Sequence, residues 1–450
     1  MKRHTRTLLS LMILVLLTSA CGIFRAKVET SSEGGWLDGV AISPGEPATG
    51  DVALEAEYAD DFGMPADKSV GEPVAMEEAS MPSSSGEPEE IVEPIEKDER
   101  EEPLQQQPNL RAGSVDDNEE WDDYLHYRIQ AKDWQLPVHD LDVTERHIIE
   151  VTNEQGLPVL GAEVEIFDTQ GQRIAQLTTY ADGRVLFFPN VCPSPDTQSY
   201  DVIVSKGSDA AEIRMDRQDR EHQVTLDARS AAHPVRLDVL FLIDATGSMS
   251  DEINQLKDNM IQISEQISEL GSQPNVRFAL TAYRDRGDDF VSRTYDFTSN
   301  VADFTNALDD IQANGGGDYP ESLNEGLHDA LHKPEWRLDE TVSLVFLIAD
   351  APPHLDYEQD FDYADEVLFA AEAGIKIYPL ASSGLDDQGE YIFRQLAQIT
   401  NAKFLFLTYG AGGGPGYDTD HHVDDYSVLS LDQMVVRIIE EELAFVNAWQ

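Results

Sequence analysis

Residues Leu237 to Met249 read LDVLFLIDATGSM: an almost unbroken aliphatic run that ends at Asp244, with Thr246 and Ser248 at alternate positions after it. A run with no polar face to turn toward water predicts a central strand of a parallel sheet covered on both sides. Open α/β sheets gather their ligands beyond the carboxyl ends of such strands. One carboxylate and two hydroxyls at that end make a small oxygen-rich site, suited to a hard cation such as Mg²⁺ that keeps positions free for other ligands.

Outward from this stretch, strand and helix patterns alternate. Strands are predicted near 237–243, 276–283, 292–296, 342–348, 375–380 and 403–408, and helices near 250–269, 301–313, 321–332, 361–373, 389–399 and 428–446. The alternation implies an α/β unit over 235–447, a doubly wound and mainly parallel sheet with right-handed crossovers. The short run SRTYDF is expected as an antiparallel edge. The last helix, from Val428 to Phe445, has Leu431, Met434, Val435, Ile438, Ile439 and Leu443 near one face, which should pack on the sheet.

The spacing Asp-x-Thr-x-Ser at Asp244, Thr246 and Ser248 resembles the metal-ion-dependent adhesion site of von Willebrand factor type A domains. Asp350, after the apolar run in SLVFLIADAPPH, matches the distant aspartate of that family's site, and NGGGDYPE (Asn314 to Glu321) matches the loop between them. That loop departs from the pattern, because Gly317 stands where a threonine is expected and Asp318 follows it. DATGSM, Tyr283-Arg284-Asp285, GGGDYPE and ADAPPH together resemble the subgroup that includes the A domains attached to alpha-kinases.

The resemblance implies a divalent cation, Mg²⁺ first and Mn²⁺ or Ca²⁺ as alternatives, held by Asp244, Thr246, Ser248, Asp318 and Asp350. Ser248 and Thr246 would approach the ion directly, and Asp244 and Asp350 directly or through water. If Asp318 coordinates directly, the ion is better neutralised; if it acts through water, the ion retains charge to attract an acidic partner. Each residue also has a plainer role open to it. Asp244 and Ser248 suit a helix start near Ser250, Asp350 a turn before Pro352-Pro353, and the three glycines a flexible loop. His354 lies beside the implied ion, where it would tune a partner contact, although its plainer reading as a loop residue is favoured. Gly410 to Gly416 lacks the Lys and following helix of a phosphate loop. Asp418, Asp420, His421 and His422 form a weaker candidate for a transition metal.

The chain carries 86 Asp+Glu against 31 Lys+Arg, a formal net charge of -55. That balance argues against nucleic acid, whose phosphates need Lys and Arg, and favours cations and basic partners. Lys2, Arg3 and Arg6, then Leu8 to Leu17, then Thr18-Ser19-Ala20, read as a signal peptide over 1–20, its apolar run shorter than a membrane span. Leu17-Thr18-Ser19-Ala20-Cys21 resembles a bacterial lipobox, which implies an acylated Cys21 carrying palmitate-type chains and an envelope location, with the outer membrane or outer surface favoured. With Cys21 lipidated, no second cysteine remains for a disulfide, and Cys192 reads as a half-buried small residue.

Residues 21–118, rich in Pro, Glu, Ser, Gly and Ala without apolar period, read as a disordered acidic linker. A short helix is expected over 119–137, with Trp121, Tyr124, Leu125 and Ile129 on its docking face and Tyr127 off it. Seven short alternating strands over 138–230, broken by Gly turns, predict a small all-β sandwich. The stretch from Gly156 to Tyr200 resembles carboxypeptidase regulatory-like or invasin-type immunoglobulin-like (Ig-like) modules, which bind or space. Together these expectations describe a lipid-anchored binding or adhesion protein that captures a protein ligand through a carboxylate offered to the metal, and not an enzyme, since no nucleophile and base pair adjoins the ion and no kinase motif occurs. The alternatives are a metal-dependent enzyme or accessory subunit, and an envelope scaffold with an empty site.

Overall fold

The computed structural model of the chain describes residues 110–192, 197–358, 360–408, 421–423 and 426–447. The expected signal peptide, Cys21, most of the acidic linker, the glycine run 410–416, Asp418 and Asp420 lie outside the described residues. Among the described residues, no helix is long and apolar enough to cross a membrane.

Strand β1 (Arg111–Val115) and helix α1 (Trp121–Trp134) come first, followed by seven strands: β2 (His147–Asn153), β3 (Glu163–Phe167), β4 (Arg173–Thr178), β5 (Arg184–Phe187), β6 (Ser199–Lys206), β7 (Asp209–Asp216) and β8 (Glu221–Leu226). They form two sheets, ordered β5-β2-β8 and β4-β3-β6-β7. Residues of β2 alternate between buried and half-buried, the period of two that a one-sided strand requires. The inward set, including Ile149, Val151, Val164, Ile166, Val202, Val204 and Val224, makes one core between the sheets, with Cys192 buried in it.

The larger unit follows: β9 (Arg236–Asp244), a 3₁₀ turn (Gly247–Asp251), α2 (Ile253–Ser268), β10 (Asn275–Tyr283), β11 (Ser292–Thr298), α3 (Val301–Asp309), α4 (Leu323–His332), β12 (Thr341–Ala349), α5 (Tyr363–Ala373), β13 (Ile375–Ala381), α6 (Asp387–Ile399), β14 (Phe404–Thr408), β15 (Ser427–Ser430) and α7 (Leu431–Asn447). Its sheet runs β11-β10-β9-β12-β13-β14-β1-β15. Neighbours from β10 to β14 are parallel, whereas β11, β1 and β15 join antiparallel. β9 and β12 are buried almost throughout, so their side chains supply cores on both faces. Helix starts are set locally: Asn300, Asp362 and Asp386 each accept a backbone N–H in the first turn of α3, α5 and α6. All six apolar residues expected on the face of α7 are buried.

Three features differ from the sequence expectation. Residues 111–115, read there as linker, pair with both β14 and β15, a role decided by partners far along the chain. In α1 the buried residues are Tyr124, Tyr127, Arg128 and Ala131, while Ile129 is 64% exposed. That face is set by docking on α6, where Tyr127 meets Tyr391 and Arg394 stacks over the Tyr127 ring at 3.8 Å. Arg128 is buried there because its guanidinium donates to Asp140 and to the Leu141 carbonyl. Finally, residues 427–430 form β15 instead of the first turn of α7.

Candidate functional site

The strand order around β9 reverses between β9 and β12: the chain leaves β9 for β10 on one side and returns to β12 on the other. Such a switch point leaves a crevice at the carboxyl ends of the two strands. Register places the candidate residues there. Tyr283 pairs with Asp244 across β10 and β9, and Ile348 pairs with Ile243 across β12 and β9. Asp244 and Asp350 therefore leave the sheet side by side.

The loop after β9 is held by its own hydrogen bonds. Thr246 donates to Asp244 Oδ1 through its backbone N at 2.9 Å and through Oγ1 at 2.7 Å, and Thr246 Oγ1 lies 3.1 Å from Ser248 Oγ. The Ser248 hydroxyl also bonds to Asp350. The structure thus places Asp244, Thr246, Ser248 and Asp350 side by side.

The glycine-rich loop is tied to the same place. Gly247 N donates to the Gly315 carbonyl at 3.0 Å, and Asn314 N to the Ala245 carbonyl at 3.0 Å. Gly316 has φ +67°, and a Cβ there would meet Glu321 Oε1 at 2.5 Å and Thr246 Cβ at 2.8 Å. Only glycine allows this approach. The consequence is that Gly316 is bordered on one side by Glu321, buried at the start of the segment leading into α4, and on another by Thr246. Glu321 was not singled out from the sequence, where a glutamate after Pro320 reads as a helix-start residue. Its signal was the continuation of the same NGGGDYPE motif by three residues beyond Asp318.

Asp318 itself is exposed and stands with Asp285 and His354, whose ligand atoms lie within 4.8 Å of one another. His354 Nδ1 bonds Asp356 at 2.8 Å, and its Nε2, 3.7 Å from Asp285 Oδ1, has no hydrogen-bond partner among the described residues. The three residues of the Tyr283-Arg284-Asp285 motif brace the rim. Tyr283 OH donates to Asp244 Oδ2 at 3.3 Å, Arg284 donates to the carbonyls of Ala245 and Gln312, and Asp285 Oδ1 accepts from Ser322 at 2.9 Å and Tyr357 at 3.0 Å. His421 and His422 turn elsewhere, toward Glu390 at 3.2 Å and 3.3 Å.

Electrostatics separate the inner carboxylates from ordinary ones. Burial, then the charge of Asp350, pushes Asp244 up to about 7 against the pull of the Thr246 donors. Burial raises Asp350 to about 6, although the Ser248 bond opposes it. Glu321 rises to about 9 through burial and the neighbouring charges of Asp244, Asp285, Asp350 and Asp288. Among the described residues, Asp350 Oδ1 and Glu321 Oε2 have no donor although both are buried. Buried oxygens without donors, close to other carboxylates, are costly as anions unless a cation answers them. The oxygens of Asp244, Thr246, Ser248, Asp350 and Glu321 are all hard donors, the chemistry that a partly hydrated divalent cation prefers.

An α/β unit with this topology and an acidic rim at its switch point defines the class, and the family comparison agrees. Residues 238–406 match the model of the von Willebrand factor A domain, so this part of the chain carries such a domain. The alpha-protein kinase vwkA of Dictyostelium discoideum is 32% identical over 146 residues, 32% of this chain and 22% of that protein. An ariadne-like RING finger protein of Acanthamoeba polyphaga mimivirus is 24% identical over 187 residues, 38% of this chain and 18% of its own length. The match thus spans about a fifth of each of these curated relatives. Among solved structures, the pilus adhesin SpaC from Lactobacillus rhamnosus GG in its open conformation is similar at 14% identity, with a TM-score of 0.30, covering 46% of this chain and 29% of that one.

Proposed function

We propose that the von Willebrand factor A unit is a protein-capture module that works through a divalent cation, Mg²⁺ first, held by Asp244, Thr246, Ser248, Asp350 and Glu321. The observation that carries this reading is the pair of buried, donorless oxygens, Asp350 Oδ1 and Glu321 Oε2, beside a preformed Asp244-Thr246-Ser248 loop. Glu321, and not the exposed Asp318, is assigned as the carboxylate from the third loop. Bound there, the cation would supply positive charge and an open position to an acidic side chain of a partner. Thr246 orients Asp244, Ser248 orients Asp350, and Tyr283 and Arg284 hold the loop in place.

In the same reading the chain is exported and anchored to a bacterial envelope through lipid on Cys21, the acidic linker reaching outward and the β-sandwich acting as an Ig-like spacer. The experiment is a pull-down from envelope extract with added Mg²⁺ or with chelator, using the wild type and the D244A and S248A variants. Capture should need Mg²⁺ and should vanish in both variants while their circular dichroism stays unchanged. Capture that survives chelation, or survives both substitutions, rejects the metal-dependent reading.

A further inference from the structure

On α4 and α5 of the same unit, two histidines one helical turn apart share one carboxylate. His328 and His332 lie at i and i+4 on α4, and so project from one face. His328 Nδ1 stands 2.7 Å from Glu366 Oε1, and His332 Nε2 stands 2.8 Å from Glu366 Oε2. The three ligand atoms lie within 4.8 Å of one another. Glu366 comes from α5, on a face otherwise made of Tyr363, Ala364, Val367, Ala370 and Ala371. Among the described residues its ion-pair partners are these two imidazoles, with no Lys or Arg.

The rings are already oriented. His328 stacks on Phe361 with centroids 3.5 Å apart and planes within 5°, His332 packs on Phe369 at 4.1 Å, and the two imidazoles stack on each other at 4.3 Å. Holding donors in place before a ligand arrives reduces the ordering cost of binding. The side chains of His328 and His332 remain 26% and 33% exposed, so the group is open on its outer side.

We infer that His328, His332 and Glu366 form a binding site for an imidazole-preferring divalent cation, Zn²⁺ by its chemistry. Two nitrogens and one carboxylate oxygen are a three-ligand set that zinc takes with a further position left to water or to a partner's side chain. Imidazole selects Zn²⁺, Co²⁺, Ni²⁺ or Cu²⁺ over Mg²⁺ and Ca²⁺, so the site differs in kind from the oxygen site at the rim. Zinc bonds of about 2.0–2.2 Å place tetrahedral ligand atoms roughly 3.3 Å apart. The present N···O separations are those of hydrogen bonds, so binding needs about 0.5 Å of opening, available at the exposed rings. Each ring must offer a lone pair at the nitrogen now facing Glu366. The proton moves to the other ring nitrogen if the imidazole is neutral, and leaves to solvent if it is charged.

The test is a titration of the chelator-treated whole chain with Zn²⁺ by calorimetry and with Co²⁺ by visible absorption, in excess Mg²⁺ to saturate oxygen-only sites. One added equivalent is expected, with Co²⁺ d–d bands of a nitrogen-containing site. Changes to groups that merely orient ligands cost about 10–100-fold in affinity, so removal of a ligand in H332A should cost at least about tenfold. E366Q, which keeps the side-chain shape, should do the same. H354A and the double variant H421A/H422A should bind as wild type, and D244A should lose its Mg²⁺ response while keeping this Zn²⁺ equivalent. No uptake of Zn²⁺ or Co²⁺ by the Mg²⁺-saturated protein overturns the inference. Wild-type affinity in H332A and E366Q overturns it equally, and would leave the group as a hydrogen-bonded link between α4 and α5.

Discussion

Thr246 donates twice to one oxygen of Asp244, from its backbone N and from its hydroxyl, so the Asp244 Oδ1 lone pairs are engaged and its other oxygen, Oδ2, meets only the long Tyr283 contact at 3.3 Å. The loop is therefore arranged by the protein itself, and the Thr246 oxygen, with its proton given to Asp244 and with Ser248 Oγ 3.1 Å away, keeps a lone pair for another ligand. Replacing Thr246 with Val keeps the backbone bond and removes only the hydroxyl. T246V should fold, while its thermal stabilisation by Mg²⁺ shrinks and T246S retains it. A T246V protein with the full Mg²⁺-dependent shift would remove Thr246 from the ligand set.

The raised carboxyls make stability depend on pH in a direction opposite to that of ordinary surface acids. Asp244, Asp350 and Glu321 hold their protons more tightly in the folded protein, at about 7, 6 and 9, than in the unfolded chain. Between their unfolded values and these, the native state binds more protons, so stability falls as pH rises from about 4 to about 9. In chelator, the urea midpoint should fall across this range by more in the wild type than in D244N. Added Mg²⁺ should restore it most at the alkaline end. Equal slopes in wild type and D244N would show that the inner carboxylates are not the source.

Glu321 and Asp318 separate cleanly by substitution. Glu321 is buried among other acids, so E321Q should stabilise the chelated protein above neutral pH while weakening Mg²⁺ binding. Asp318 is exposed, and D318N should change metal-free stability by less than about 0.5 kcal/mol. If D318N abolishes Mg²⁺ binding and E321Q leaves it intact, the ligand assignment from the third loop is reversed.

Gly326 lies inside α4, where helix propensity alone would favour Ala by about 1 kcal/mol. A Cβ at Gly326 would sit 2.7–2.9 Å from Cδ1, Cγ and Cβ of Tyr283. That ring carries the hydroxyl that reaches Asp244, so the missing methyl is what lets the helix close on the site. G326A should lose about 1–3 kcal/mol by overpacking and should perturb Mg²⁺ affinity as well. A gain in the urea midpoint would show that the ring relaxes freely.

Asp117 and Arg394 form a buried, two-armed ion pair, with contacts of 2.6 Å and 3.0 Å, that clamps the segment after β1 onto α6. Removing Asp117 leaves the Arg394 charge buried with Glu390, 3.3 Å away, as its remaining carboxylate, so the cost is at or below about 3–5 kcal/mol, the figure for breaking an isolated buried pair. D117N should lower unfolding stability by that order in chemical denaturation. A loss below about 1 kcal/mol would mean that the segment 111–118 is not part of the cooperative unit.

The strands, helices and core of the α/β unit were legible because fully buried parallel strands leave long apolar runs, and LDVLFLID and SLVFLIAD are separated by helical periods. The grouping of Asp244, Thr246 and Ser248 was written in their alternate spacing at one strand end, whereas Asp350 was placed beside them by the family resemblance alone. Strand β1 was hidden because RAGSV is short and follows a long acidic stretch. Its place depends on Phe404–Thr408 and Ser427–Ser430, close to three hundred residues later in the chain. The face of α1 was misread for a related cause: Arg128 counts as polar by type, but α6 and Leu141 supply partners that permit its burial.

Sequence by itself determined which residues must leave water and which strand ends carry oxygen donors, since both depend on side-chain chemistry repeated at short, regular intervals. Tertiary structure alone decided that Glu321 and Thr246 both border Gly316, that Tyr283, packed against Gly326, reaches Asp244, and that His328, His332 and Glu366 meet. Each of these depends on how helices and loops distant in the chain are packed against one another. Packing of that kind is set by the collective fit of the core, and no local pattern encodes it.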